Sequence, residues 1–212
     1  MDNNQETFKF KNSAFRKAIV GFIRFIMRLL ADLRVHRAEN MIAEGAVMFA
    51  ANHLSFFDAV VLQSVIKRPL CFMGKAELFE YPLVAWFFNQ LGAFPVKRGE
   101  FDRQSILNAR GVLNAGLAMM MFPEGTRTYG KGMVEARSGT AYIAMRNHCR
   151  IVPVAISGSE KIMKSGLCRT IVEITFCEPI EAGGKETAGE LTERTMRSIA
   201  GRLPEKLRGY YA

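Results

Sequence analysis

Two side chains five residues apart, His53 and Asp58, are of types that suit a reaction. Histidine is the ordinary side chain that changes charge near neutral pH, so it serves as a general base; a carboxylate beside it orients the ring and stabilises the imidazolium. Five positions apart in one continuous helix, two side chains point about 140° away from each other. A working pair therefore needs His53 in a turn and Asp58 at the start of the helix after it. The neighbouring residues fit that arrangement. Ala46 to Ala51 is an apolar run of strand length, Asn52 and Ser55 suit the turn as capping residues, and an apolar-periodic stretch from Ala59 to Ile66 follows until Pro69. The other reading is a satisfied buried histidine and a helix-start carboxylate placed for the macrodipole.

The same pattern of apolar run and polar turn recurs downstream. Leu117 to Phe122 has strand length and leads at once into Pro123-Glu124-Gly125-Thr126-Arg127. Gly125 lets the backbone approach a ligand, Thr126 adds a hydroxyl, and Arg127 offers a planar fork for phosphate oxygens, which together make an anion cradle. Glu124 can support the turn by holding a cation or a backbone group. Lys75 and Arg98 flank two further strand-like runs and are placed to hold a phosphate, or else are ordinary surface cations.

These residues carry a resemblance. Asn52-His53-x-Ser55-x-x-Asp58 resembles the first motif of the lysophosphatidic acid acyltransferase (PlsC-like) family of glycerolipid acyltransferases. Lys75-x-Glu77-Leu78, with a basic end at Lys97-Arg98, resembles the second. Phe122 to Arg127 matches the third without a substitution, and Ile151 to Gly158 is similar to the fourth. The resemblance covers residues 46–158. It implies transfer of an acyl group from acyl-CoA or acyl carrier protein to a lysophospholipid hydroxyl, the sn-2 hydroxyl of lysophosphatidic acid. His53 is then the base, Asp58 its orienting partner, and Arg127, with Lys75 and Arg98, the holder of the acceptor phosphate. The thioester is a co-substrate, and neither a metal nor a further cofactor is needed. Relatives with other acceptors, such as lyso-ornithine lipid, belong to the same family.

Positioning these groups takes a sheet. Apolar runs alternate with helical segments along the chain, which indicates a single α/β domain with helices flanking a mixed, mostly parallel sheet; the resemblance implies about seven strands. Pro153 inside the run from Ile151 argues for a bulge or an edge position. Thr170 to Phe176 is the last strand, Tyr129 to Arg137 reads as an exposed loop, Ser138 can cap a helix through Asn147, and Thr187 to Arg208 reads as one covering helix.

Residues 1–12 are polar and read as a frayed end. Phe15, Ile19, Phe22, Ile26, Leu29 and Leu33 then form a helical apolar stripe, with Arg16, Lys17, Arg24, Arg28, Arg34 and Arg37 against the single Asp32. The longest charge-free stretch there, Ala18 to Ile23, is far short of the roughly 20 apolar residues of a transmembrane helix. No cleavage-site pattern marks a signal peptide. The expectation is a basic amphipathic helix on an anionic membrane surface over residues 1–40, and an acyltransferase domain over 41–212. A core-packing helix with a solvated basic face is the alternative. The location implied is peripheral, at the cytoplasmic face of the membrane.

Composition fits this reading. Hydrophobic residues at 49% against 23% charged exclude a disordered chain, and the net charge of +9 favours an anionic partner. Nucleic acid is disfavoured, because no zinc-finger or RNA-recognition pattern accompanies the charge. A non-catalytic lipid binder has no need of a base at His53. Cys71, Cys149, Cys168 and Cys177 form no Cys-x-x-Cys, so neither zinc nor a disulfide framework is indicated and a reducing compartment is expected.

Overall fold

The apolar run before His53 forms strand β2, Val47–Ala51, with every residue buried. Val47, Phe49 and Ala51 pack on one face of a sheet and Met48 and Ala50 on the other, as befits a strand covered on both sides. The computed structural model describes residues 8, 10–97, 102–164 and 169–212. Arg98, Cys168 and most of the polar segment 1–12 lie outside the described residues.

The other strands are β1 (Ala31–His36), β3 (Leu70–Lys75), β4 (Ala93–Val96), β5 (Ala118–Met121), β6 (Arg150–Ser157) and β7 (Thr170–Phe176). Among the described residues they make one sheet in the order β1-β7-β6-β2-β5-β3-β4. Neighbours are parallel except for the β6–β7 pair. This is the mixed, mostly parallel α/β sheet that the alternation of runs implied. Helices α1 (Ala14–Leu30) and α2 (Phe57–Val65) cover the face that holds Phe49, Met120 and Val152. Helices α4 (Arg103–Asn114), α5 (Gly139–Arg146) and α6 (Ala188–Ala200) cover the other. Helix α3 (Pro82–Gln90) leads into edge strand β4, and α7 (Glu205–Arg208) closes the chain against Met133 and Tyr211.

Five local expectations change. The helical stripe stops at Leu30 rather than Leu33, because residues 31–36 pair with β7, Ala31 opposite Thr170, as an edge strand. Tyr129 to Arg137 is exposed along much of its length, at Tyr129, Lys131, Val134, Glu135 and Arg137, but it is pinned at its middle. Met133 is buried and exchanges backbone bonds with Leu207 and Tyr210, and the Ala136 N–H donates to the Tyr211 hydroxyl. The final helical stretch is broken, α6 ending at Ala200 and Pro204 preceding α7. Pro lacks the N–H that a continuing helix needs. Ser138 precedes α5 but makes no capping bond. Asn52 caps nothing: its amide bonds both backbone groups of Ile156, at 2.9 Å and 2.8 Å, and so extends the β2–β6 pairing by one side chain.

Pro153 lies in an inner strand, not at an edge, and faces a bulge whose extra residue belongs to the partner segment between Phe176 and Ile180. Pairing runs Val154 opposite Phe176 but Ile151 opposite Ile180, a slip of one residue around the proline.

Candidate active site

Strands β2 and β5 are parallel neighbours, Ala50 opposite Met121, so the two polar turns that follow them leave the sheet at the same end. That end, beyond the carboxyl termini of parallel strands, is where open α/β sheets bind ligands. The turns are tied to each other. Glu124 is buried and accepts the His53 backbone N–H at 2.8 Å through one oxygen and the Val134 N–H at 2.9 Å through the other. The Thr128 and Tyr129 N–H groups donate to the carbonyls of His53 and Leu54 at 2.9 Å and 3.0 Å. Burial pushes the Glu124 carboxyl above the ordinary carboxylate range, while its two backbone bonds oppose the rise. Of the two roles open to Glu124, this geometry is the backbone one.

His53 sits in the turn and Asp58 in the first turn of α2, as their spacing required. The His53 Nδ1 is 2.7 Å from Asp58 Oδ2, and the side chain of Asp58 is 0% exposed. The Ser55 N–H donates to the same Asp58 oxygen at 2.8 Å, and the Ser159 hydroxyl donates to the other. The Ser55 hydroxyl accepts the Phe57 N–H, so it helps start α2 from within the turn. The imidazole stacks on Phe122, ring centroids 4.0 Å apart. Every degree of freedom of the His53 ring is thus taken by a bond or a stacked face. Its Nε2 makes no hydrogen bond among the described residues, and the ring lines a cavity of about 340 Å³.

The cavity wall is mostly apolar, with Phe72, Met73, Met120, Met121 and Ile143 among its residues. Gly125 is on it, with φ +66, in the left-handed region that glycine tolerates. The other sequence-derived residues divide. Thr126 and Arg127 are exposed outside the wall, the Arg127 guanidinium 5.6 Å over the Tyr129 ring. Lys75 pairs with Glu77 at 2.8 Å and is likewise off the wall. Of the cations that do line it, Lys97 was read only as part of the second motif's basic end and Arg137 was not singled out by sequence; neither was Thr140, also on the wall, nor Ser159, which bonds Asp58. No local signal marks Arg137, Thr140 or Ser159, since the fold brings them in from other elements. Among the described residues no group of three or more His, Cys, Asp or Glu could hold a metal ion.

A mostly parallel sheet with a buried carboxylate, a histidine at a strand end and a cavity beside it defines an α/β catalytic domain. The chain belongs to the acyltransferase family, whose model matches residues 32–157. It is 27% identical over 156 residues to the chloroplastic 1-acyl-sn-glycerol-3-phosphate acyltransferase LPAT1 of Arabidopsis thaliana, covering 68% of this chain and 44% of that protein. The 1-acyl-sn-glycerol-3-phosphate acyltransferase of Bacillus subtilis is 27% identical over 160 residues, 74% of this chain and 79% of its own. The lyso-ornithine lipid O-acyltransferase of Pseudomonas aeruginosa is 32% identical over 198 residues, 82% and 75% of the two chains. The chain spans about half the length of its plant and algal relatives, 44% and 50%. In fold it is similar to the crystal structure of the 1-acyl-sn-glycerophosphate acyltransferase PlsC of Thermotoga maritima. The TM-score is 0.71 at 23% identity, covering 87% of this chain and 78% of that one.

Proposed function

We propose that the chain is a 1-acylglycerol-3-phosphate O-acyltransferase, moving a fatty acyl group from acyl-CoA or acyl carrier protein to the free hydroxyl of lysophosphatidic acid. The observation that carries this reading is the His53 ring, fixed through Nδ1 on buried Asp58 with its other edge on the cavity. The acceptor hydroxyl, held against Nε2, gives up its proton as its oxygen attacks the thioester carbonyl. Asp58 stabilises the imidazolium that forms. The carbon–sulfur bond then breaks, the proton passes from Nε2 to the departing sulfur, and the products are an ester and a free thiol. No covalent acyl-enzyme is required, because the substrate hydroxyl stands where a hydrolase keeps its serine. The thioester is the sole co-substrate. Arg127, Thr126 and Lys75 lie outside the cavity wall, and their part is to meet the acceptor as it enters.

The reading includes a membrane surface. Phe15, Phe22, Phe25 and Leu29 of α1 are exposed, Phe22 by 65%, and Lys17 and Arg28 lie beside them. Phe15 meets Trp86 of α3, ring centroids 5.3 Å apart, and Tyr81 and Leu83 continue the apolar surface. Phenylalanine flanked by cations suits the boundary of an anionic bilayer, from which a lysolipid would enter. No described helix is long and apolar enough to cross a membrane. The cytoplasmic face is where acyl thioesters are available.

The test is His53→Ala, assayed with lysophosphatidic acid and acyl-CoA beside a thermal melt. Turnover should fall by about a hundred- to ten-thousandfold with the melt unchanged. Parental turnover would remove the base. Lyso-ornithine lipid belongs in the same assay, since the relative named for it is 32% identical to this chain; faster transfer to it would move the acceptor and keep the chemistry.

A further inference from the structure

Beyond the His53 pair, the cavity has a second polar corner, built by the segment that joins the Glu124 turn to α5. The Arg137 backbone N–H donates to the Pro123 carbonyl at 2.9 Å, which fixes the segment onto the turn. The Arg137 side chain then lies over Gly125: a Cβ placed there would sit 3.8 Å from its Nε. Arg137 and Lys97 both line the cavity, and among the described residues neither side chain is paired with a carboxylate.

The start of α5 faces the same space, since Gly139 and Thr140 are also on the wall. The first turn of α5 holds no acidic residue and Ser138 makes no capping bond, so the N–H groups of Gly139, Thr140 and Ala141 have no backbone acceptor among the described residues. Thr140 is 4% exposed and its hydroxyl makes no hydrogen bond among the described residues. Among the described residues one carboxylate lies on the wall, that of Asp102, and it accepts the Lys97 N–H at 2.9 Å through one oxygen and the Ser105 N–H at 3.1 Å through the other. Two cations without a carboxylate partner among the described residues, an uncapped helix start and the unpaired hydroxyl of buried Thr140 around one cavity are the parts of an oxyanion site.

We infer that Arg137, Lys97, Thr140 and the start of α5 bind a substrate phosphate inside the cavity that His53 lines. The inference deepens the acyl-transfer reading and rests on it for the identity of the substrates. Two of those substrates carry phosphate, the acceptor head group and the coenzyme A portion of the donor, and the site serves one of them. Bound there, the phosphate fixes which hydroxyl reaches Nε2.

The experiment compares Arg137→Gln, Lys97→Gln and Thr140→Val with the parent, each checked by thermal melt. The acceptors are lysophosphatidic acid and uncharged monoacylglycerol; the donors are acyl-CoA and acyl-N-acetylcysteamine, which has no phosphate. For Arg137→Gln, KM for lysophosphatidic acid should rise about ten- to a hundredfold with kcat largely kept, and monoacylglycerol should be affected much less. Arg137→Lys, which keeps the charge without the fork, should recover part of the loss. A KM rise confined to acyl-CoA, absent with acyl-N-acetylcysteamine, assigns the same phosphate site to the donor. Equal losses with all four substrates in all three variants overturn the site. If Arg137→Gln does not fold, the near-isosteric Thr140→Val carries the comparison. Calorimetric titration with glycerol 3-phosphate needs no turnover and so separates this inference from the reaction. Binding that Arg137→Gln weakens, in a protein that transfers no acyl group, would uphold the site and sink the chemistry. Turnover with KM untouched in all three variants would sink the site alone.

Discussion

Helices α1 and α6 are both strongly amphipathic, but they use their apolar faces in opposite ways. In α6 the face of Leu191, Thr195, Met196 and Ile199 is buried on the sheet, and the charged residues Glu190, Glu193, Arg194 and Arg197 look outward. In α1 the buried face is narrower, Val20 and Met27 with Arg16, while Phe15, Phe22, Phe25 and Leu29 stand on the outer side. Arg24 is not part of the outer basic flank in the sense that Lys17 and Arg28 are, because its guanidinium donates to the Ile66 carbonyl at 3.0 Å. A helix that buries its whole apolar face has found its partner within the domain. A helix that leaves four large apolar side chains outside presents them to something else, and the cations alongside favour an anionic surface.

The largest difference should appear in stability. Leu191→Ala or Met196→Ala in α6 removes fully buried side chains and should cost about 2–5 kcal/mol by chemical denaturation. Phe22→Ala or Phe25→Ala should stay within about 0.5 kcal/mol, as surface changes do. A cost for Phe22→Ala comparable to that for Leu191→Ala would break the comparison and return α1 to the role of a core-packing helix.

Vesicle binding should reverse the order. Phe22→Ala with Phe25→Ala removes two side chains worth at least about 1.5 kcal/mol each if fully immersed, so affinity for anionic vesicles should fall by roughly a hundredfold or more. Lys17→Gln with Arg28→Gln removes about 1 kcal/mol per cation, roughly thirtyfold together, and that part should vanish in high salt. Vesicle binding that ignores all four substitutions would leave the outer face of α1 without a membrane partner.

The smallest effects concern the helix ends. Thr187→Ala breaks the reciprocal cap of α6, in which the Thr187 hydroxyl accepts the Glu190 N–H at 3.2 Å and Glu190 accepts the Thr187 N–H at 2.7 Å. Ser13→Ala removes the cap of α1, whose hydroxyl accepts the Arg16 N–H at 3.1 Å. Each should cost about 1 kcal/mol. Similar cap losses would show that the two helices differ in what covers them and not in how they start.

The same contrast, between what is local and what is not, runs through the site. The His53–Asp58 pair was legible because six residues of sequence contain it: the end of a strand, a turn and a first helical turn suffice to bring Nδ1 to the carboxylate. Glu124 was legible only as a member of its turn. Its function depends on the N–H groups of His53 and Val134, one of them 71 positions away. Arg127 looked like the cation of the cradle because it is two positions from Gly125 in sequence, yet the side chain over Gly125 is that of Arg137, twelve positions from the glycine and brought back by its bond to Pro123. Ser159 follows the same rule, reaching Asp58 from the end of β6.

The sequence by itself determined the elements whose signals are short in range: the apolar runs that became β2, β3, β5, β6 and β7, the turn that sets His53 before α2, the slip at Pro153, and the stripe of α1. Periodicity, capping and proline geometry act over a few residues, so they can be read one segment at a time. Tertiary structure alone decided that residues 31–36 leave the helix for the sheet, that Tyr129 to Arg137 is held by the C-terminal turn, and that Lys97 and Arg137 rather than Lys75 and Arg127 line the cavity beside His53. Each of those outcomes depends on which strand lies beside which. Strand order is fixed by burying both faces of the sheet at once, a condition on the whole chain that no single stretch of it contains.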